Sequence, residues 1–286
     1  MTFARRWLCF LCATLLPVAA AQATGPVWRV TAPGGKVLYL AGSMHSLRSV
    51  DYPLPPQFNR AFEASTRLAF EVDPQELNRS SDSMVRGGKY GRRDSLKNHV
   101  DARTYEYLRR VFKIMGVPEE KFSGYRPWLL SFFVQTPGLH GFSDDLGIEE
   151  FLTKRARANG KPTTGLESAR EHADVFAAMT DVQAEATLLI TFIPQGDAVQ
   201  SGTRMVNAWR RGDADLLWRE VHEGYRDYPA IAERLLENRN RNWVPKIERF
   251  IASGKTYMVT VGAAHMGGPG GLLALLKARG YSIEQL

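Results

Sequence analysis

The chain is poor in the residues that make thiol chemistry. Its 286 residues include two cysteines, Cys9 and Cys12, both within the first dozen positions. It also lacks His-Glu-x-x-His, Gly-x-Ser-x-Gly, Gly-x-Gly-x-x-Gly and a P-loop Lys-Ser/Thr, so four common enzyme signatures are excluded. A long apolar run is missing too. The stretch Trp7 to Val18 covers 12 residues, against the ~20 that a helix needs to cross a bilayer. Arg5-Arg6 precede it and Ala21-Gln22-Ala23 follow, which predicts a secretory signal peptide over residues 1–23, cleaved after Ala23. Neither cysteine ends the apolar run, which excludes a lipoprotein signal.

Removal of that segment takes both cysteines with it. Disulfides, thiol nucleophiles and thiolate metal ligands are then excluded from the mature chain. No stable membrane span is expected after cleavage. Loss of Arg5 and Arg6 lowers the formal charge from +7 to +5. The basic stretches 86–97 and 234–249 alternate with acids and aromatics as solvated faces do, so no nucleic-acid partner is expected.

What is present is an ordinary globular composition, 44% hydrophobic and 23% charged. Val27–Val30, a Pro33-Gly34-Gly35 turn and Val37–Leu40 read as a β-hairpin. Phe58, Ala61, Phe62 and Ser65 keep helical spacing before the apolar strand Leu68–Phe70, giving a strand–helix–strand unit. A helix from about Leu146 to Asn159, stopped by Gly160, leads to a strand ending in Glu167. Helical periodicity dominates two further regions, an insertion over roughly 74–141 and a segment over roughly 169–253. The end of the chain reads as a second βαβ unit: strand Thr256–Val261, a glycine-rich turn, helix Leu272–Arg279 and a strand from Tyr281. Two such units joined by helical segments give an expected α/β fold.

One short pattern occurs in both units. Gly42-Ser43-Met44-His45 and Gly262-Ala263-Ala264-His265 each follow an apolar strand. In an open α/β sheet, ligands bind beyond the carboxyl ends of the strands, and a glycine there is expected to let the chain turn and aim the histidine into the crevice. Glu71 and Glu167 also stand where apolar strands end, so they should project from the same edge. Two imidazoles and a carboxylate are a donor set for a divalent metal with an activated water. An unremarkable alternative remains for each: a loop histidine beside an aromatic, or a glutamate that caps a helix or pairs with arginine.

From about Trp28 to Leu286 the chain resembles the TraB/GumN family, which includes the Tiki proteins. The resemblance is carried by both Gly-x-x-His motifs, Glu71, the segment Asp145 to Glu167, Arg239-Asn240 with Trp243, Gly270-Gly271-Leu272-Leu273 and Gly280-Tyr281. It implies a single α/β domain over residues 24–286, with a central, mostly parallel sheet formed by two pseudo-symmetric half-domains and a helical insertion, related to the erythromycin-esterase and ChaN-like folds. It also implies His45, Glu71 and His265 as metal or catalytic residues, with Arg239 and Asn240 in the site wall. For the Tiki members it implies metal-dependent proteolysis with manganese or cobalt. Three positions depart from the family's pattern: Ser43 where threonine is common, Glu149 where aspartate is usual, and His172 where glutamine is frequent. If Glu149 belongs to the site and not only to its helix's first turn, the extra methylene bears on the geometry.

The function expected from these residues is metal-assisted hydrolysis of a peptide or other acyl bond outside the cytoplasm. His45, Glu71 and His265 would hold a divalent ion (Mn, Co or Zn), and Glu167, or a loosely bound Glu71, would take the proton of the attacking water. Arg239 or Asn240 would stabilise the oxyanion. Two alternatives use the same residues: a metal-independent esterase-like hydrolase with a histidine general base, and a non-catalytic binding protein for peptide, metal or haem.

Overall fold

The structure, a computed structural model, describes residues 24–134, 141–192 and 198–286. The predicted signal peptide and the Pro194-Gln195-Gly196 break lie outside the described residues. Six strands form one sheet: β1 (Val27–Thr31), β2 (Val37–Ser43), β3 (Arg67–Val72), β4 (Thr163–Glu167), β5 (Tyr257–Gly262) and β6 (Ser282–Gln285), in the order β4-β3-β5-β2-β1-β6. Strands β4, β3, β5 and β2 are mutually parallel. β1 runs antiparallel to both β2 and β6. The sheet is therefore α/β and mostly parallel, as expected.

Both faces of the sheet are covered, which is why its strands read as nearly continuous apolar runs. On one face, Leu68, Phe70 and Met258 pack with Phe58 and Phe62 of α1 (Pro56–Ala64), Ile148 and Leu152 of α5 (Ile148–Ala158) and Trp209 of α8 (Ala198–Arg210). On the other, Leu38, Leu40, Ala69, Val259 and Val261 meet Trp243 and Ile247 of α11 (Glu237–Ala252) and Leu272 and Leu276 of α12 (Leu272–Ala278). The two-residue alternation along β3 and β5 sorts these side chains. α2 (Pro74–Gly87) follows β3, and beyond it α3 (Ala102–Ile114) and α4 (Pro127–Val134) share a separate small core, Leu108, Phe112, Phe122 and Leu130, with Leu188 of α7 (Asp181–Phe192). The remaining helices, α6 (Ala169–Ala177), α9 (Ala214–Gly224) and α10 (Pro229–Leu235), complete the wrapping.

Two expectations need correction. The final strand–helix–strand is not a local βαβ unit, because β6 pairs with β1 on the far side of β2 and not with β5. Nor do the motif glycines make turns. Gly42 lies inside β2, and Gly262 has φ −46° and ψ 133°, a conformation open to other residues. Gly42 is needed for space: a Cβ there would stand 3.0 Å from the Ala263 Cβ, so the two motifs touch where the glycine is.

Candidate active site

Adjacency of β2 and β5 brings the two motifs together. Gly42 pairs with Val261 and Ser43 with Gly262, so both histidines leave the same end of neighbouring parallel strands. Glu71 sits one residue from the end of β3, on the other side of β5. Its Oε1 accepts the Gly262 N–H at 2.9 Å and lies 3.8 Å from His265 Nε2. A Cβ built on Gly262 would lie 3.4 Å from Glu71 Oε1, 3.5 Å from His265 Cδ2 and 3.8 Å from His45 Nε2. The three sequence-predicted central residues thus line one methyl-sized cradle.

Each of them is oriented from its outer side. The His45 Nδ1 is 3.0 Å from Glu149 Oε1, which also accepts the Ser43 hydroxyl at 2.5 Å. Glu149 can reach because Gly147 caps α5 against the His45 backbone: a Cβ on Gly147 would lie 2.0 Å from the His45 carbonyl oxygen. Glu149 is therefore both a first-turn residue and a partner of His45. Its charge pushes the His45 pKa up to about 9. The His45 side chain is 69% exposed, so water screens the pair and it contributes little stability.

His265 is held differently. The Asn240 side-chain nitrogen donates to the carbonyls of His265 (3.1 Å) and Gly270 (2.9 Å), which leaves its oxygen as acceptor for His265 Nδ1 at 2.7 Å. This network assigns the proton to Nδ1 and the lone pair to Nε2, which accepts from Arg239 Nη1 at 3.2 Å. Burial, with the Arg239 charge, pushes the His265 pKa down to about 3, so the ring is neutral. Trp243 packs against it with ring centroids 4.6 Å apart.

Arg239 is the hub. Its Nε and Nη2 hold Glu167 at 3.3 and 2.6 Å, and Nη2 is also in short contact with Glu71 Oε2. Nη1 donates to the Leu235 carbonyl as well as to His265. Burial alone would raise the Glu71 pKa, but the adjacent guanidinium outweighs it and holds the carboxyl well below its usual range. For Glu167 too, burial is outweighed, here by hydrogen bonds from His172 (2.7 Å) and Arg239, and Trp243 Nε1 adds a third donor at 3.0 Å. No acceptor position on Glu167 is left for a water's proton. With all five Arg239 N–H groups and both Asn240 N–H groups engaged inside the protein, the oxyanion role expected for either has no free donor behind it.

Donor atoms of Glu71, Glu167 and His172 lie within 4.8 Å of one another, a spacing that suits a metal ion. Arg239 Nη2 already stands among them, 3.2 Å from His172 Nδ1, so this group has a resident cation. The role of His172 here escaped the sequence reading. It stands out in the sequence only as a departure from the family's pattern, and its place five residues after Glu167, in the first turn of α6 where the Ser168–Glu171 capping box fixes the helix start, brings it to that carboxylate.

The TraB/PrgY/gumN family model matches residues 26–285. The chain belongs to this family. Among its relatives, uncharacterized protein YbaP of Escherichia coli (strain K12) is 23% identical over 259 residues, covering 89% of this chain and 93% of that protein. Uncharacterized protein YbaP of Shigella flexneri matches with the same identity and coverage. No solved structure matches. In this TraB/PrgY/gumN member both motif histidines and Glu71 meet at one cradle. Among the described residues, no helix is long and apolar enough to cross a membrane.

Proposed function

We propose that the protein is an exported hydrolase that cleaves a peptide or other acyl bond at the cradle over Gly262. The observation that carries this reading is convergence. His45 Nε2, Glu71 Oε1 and the His265 ring surround one small space, and Glu149, Arg239 and Asn240 orient them from behind. Outer partners of this kind are the usual support of metal-binding imidazoles and carboxylates. The donor set fits a divalent cation: with both rings neutral, Glu71, Glu149 and Glu167 carry three negative charges, Arg239 offsets one of them beside Glu71 and Glu167, and a dication balances the remainder. His45 and Glu71 would hold it, with His265 as a third ligand once Arg239 Nη1 gives up the Nε2 lone pair, and when bound it would supply Lewis-acid activation of water. Arg239 keeps Glu71 ionised and lends positive potential to the wall of the cradle. Glu71 Oε1, unlike Glu167, faces the cradle, and with the ion held loosely it would accept a water's proton.

One observation favours a metal-free version of the same hydrolysis: Arg239 Nη2 occupies the centre of the Glu71–Glu167–His172 group. In that version Glu71 takes the water's proton and the His45 Nε2–H, held protonated by Glu149, protonates the leaving group. His45 must be neutral for the first version and charged for the second. Metal analysis of the purified protein, with cleavage of a quenched peptide library before and after chelation and on return of Mn, Co or Zn, decides between them. Metal-restored cleavage that is lost in His45→Ala and His265→Ala supports the first. Full activity in the stripped protein that falls as pH rises through about 9 supports the second. Full activity in both alanine variants overturns both, and haem or metal binding without cleavage would place the protein among binding proteins.

A further inference from the structure

His265 offers one lone pair, and a cation of the protein already holds it. The Nδ1–H donates to Asn240, so Nε2 carries the only pair the ring can give, and Arg239 Nη1 donates to it at 3.2 Å. An imidazole-bound divalent ion sits about 2.0–2.1 Å from its nitrogen, on the side that the lone pair faces. Ion and Nη1 therefore cannot share Nε2. Glu71 is contested as well: its Oε1 lies at the cradle, but its Oε2 is in short contact with Arg239 Nη2. Two cradle ligands are thus partners of one guanidinium. All three side chains are largely buried, so water does little to screen an arriving dication from Arg239.

Arg239 has other partners to stay with. Its Nε and Nη2 hold both oxygens of Glu167, and Nη1 keeps the Leu235 carbonyl at 3.3 Å. The guanidinium carbon lies 4.5 Å from the centre of the Trp243 ring, against which His265 also packs. Hydrogen bonds to an ionised carboxylate are about twice as strong as those to a neutral acceptor. The bond to His265 Nε2 has a neutral acceptor and a competitor for it, so it is the one that gives way when a dication approaches. Glu167 and Trp243 keep the side chain in place meanwhile.

We propose that Arg239 is a tethered cation that gates the cradle: it masks the Nε2 lone pair of His265, and a divalent ion gains its third ligand only as the guanidinium withdraws onto Glu167. The ion and Arg239 are alternative partners of one histidine. Loading is weakened by the bond that must break, so Arg239 sets a threshold of free ion below which His265 stays with the protein's own cation. The proposal concerns regulation of the site and rests on the metal-dependent form of the hydrolase reading.

Calorimetric titration of zinc into chelator-stripped protein tests it in wild type and Arg239→Lys, each checked for a cooperative unfolding transition. Lysine keeps a charge beside Glu71 and Glu167, but its ammonium, drawn to both carboxylates, leaves Nε2 open. Arg239→Lys should bind zinc about tenfold more tightly than wild type, the order of effect of one charge-assisted hydrogen bond. Replacing a residue that only supports the site would weaken binding instead. In a His265→Ala background the same change should bring no gain. Side-chain nitrogen NMR of the wild-type protein reads the exchange without any variant: zinc should shift His265 Nε2 and Arg239 Nη1 together. Equal or weaker binding in Arg239→Lys, a gain that survives His265→Ala, Arg239 signals unmoved by bound zinc, or no zinc bound by either protein overturns the gate. The exchange in a protein that cleaves no peptide overturns the hydrolase reading alone, whereas zinc-restored cleavage with no gain in Arg239→Lys overturns the gate alone.

Discussion

The side-chain oxygen of Asn240 lies 2.7 Å from Nδ1 of His265, and that contact decides which ring nitrogen carries the proton. Both N–H groups of Asn240 are bound to carbonyls, so its oxygen can only accept. The lone pair of His265 is consequently presented at Nε2, on the side of Glu71 and Arg239. A neutral, buried imidazole is the result, and it has a consequence for stability.

Acid should destabilise the protein before its carboxylates titrate. Folded His265 has its pKa pushed down to about 3 by burial, against an ordinary value of 6.5 in the unfolded chain. Between those values the unfolded chain binds up to one more proton, so stability falls as pH drops below 6.5, by at most about 1.4 kcal/mol per pH unit. Glu71 and Glu167, lowered in the fold, add a loss of the same sign at more acid pH. Urea unfolding at pH 7, 6 and 5 measures the slope, which should shrink in His265→Gln. A flat profile in the wild-type protein would count against the neutral ring.

Glu149→Gln should return His45 toward ordinary behaviour. The glutamine can still contact Nδ1 but removes the charge that raises the ring's pKa to about 9. A shift toward 6.5, followed by NMR titration of the His45 ring, is expected. Metal affinity at neutral pH should change as well, because proton and metal compete for the imidazole. A His45 pKa that stays near 9 in the variant would show that Glu149 is not its cause.

Gly262→Ala separates the site from the fold. The backbone angles suit alanine, and the added methyl would meet Glu71, His265 and His45 at ordinary contact distances of 3.4, 3.5 and 3.8 Å. Stability should hold or rise by about 0.4–1 kcal/mol, since alanine has less freedom to lose on folding. Ligand or metal binding in the cradle should fall at least tenfold. Calorimetric binding and denaturant unfolding on the same sample test both halves, and unimpaired binding would move the site away from Gly262.

Arg239→Met should do the reverse and damage the fold most. It leaves the buried carboxylates of Glu71 and Glu167 without their cation. A cost of about 3–5 kcal/mol is typical for breaking such a pair from one side. Arg239→Lys should recover only part of it, because one ammonium cannot match the two-point hold on Glu167 and still reach Glu71 and His265. Chemical denaturation of the three proteins measures the series. A loss below about 1 kcal/mol in Arg239→Met would mean that the cluster is solvated and not a structural hub.

Much of this architecture was legible because local patterns are short-range. Apolar strands, helix stops such as Gly160 with its φ of 63°, and the two Gly-x-x-His motifs depend on residues a few positions apart. The last strand was misjudged, because nothing between Leu272 and Tyr281 says that the chain passes over β2 and β1 before it pairs. Glu149 and His172 were noticed only as departures from the family's pattern. Both belong to the site, because Gly147 docks α5 on the His45 backbone and because α6 starts just beyond Glu167.

By itself the sequence determined the chemistry on offer. A mature chain expected to have no thiol, two strand-end histidine motifs and strand-borne glutamates leaves imidazole, carboxylate and guanidinium to make a site. Tertiary structure decided how these groups are used. The sheet order β3-β5-β2 brings residues more than 190 positions apart around Gly262, and α11 sends Arg239 into the carboxylates of Glu71 and Glu167. Protonation follows from that placement: burial and the guanidinium keep His265 neutral, while Glu149 charges His45. These opposite outcomes for the same residue type depend on long-range neighbours, which sequence spacing does not encode.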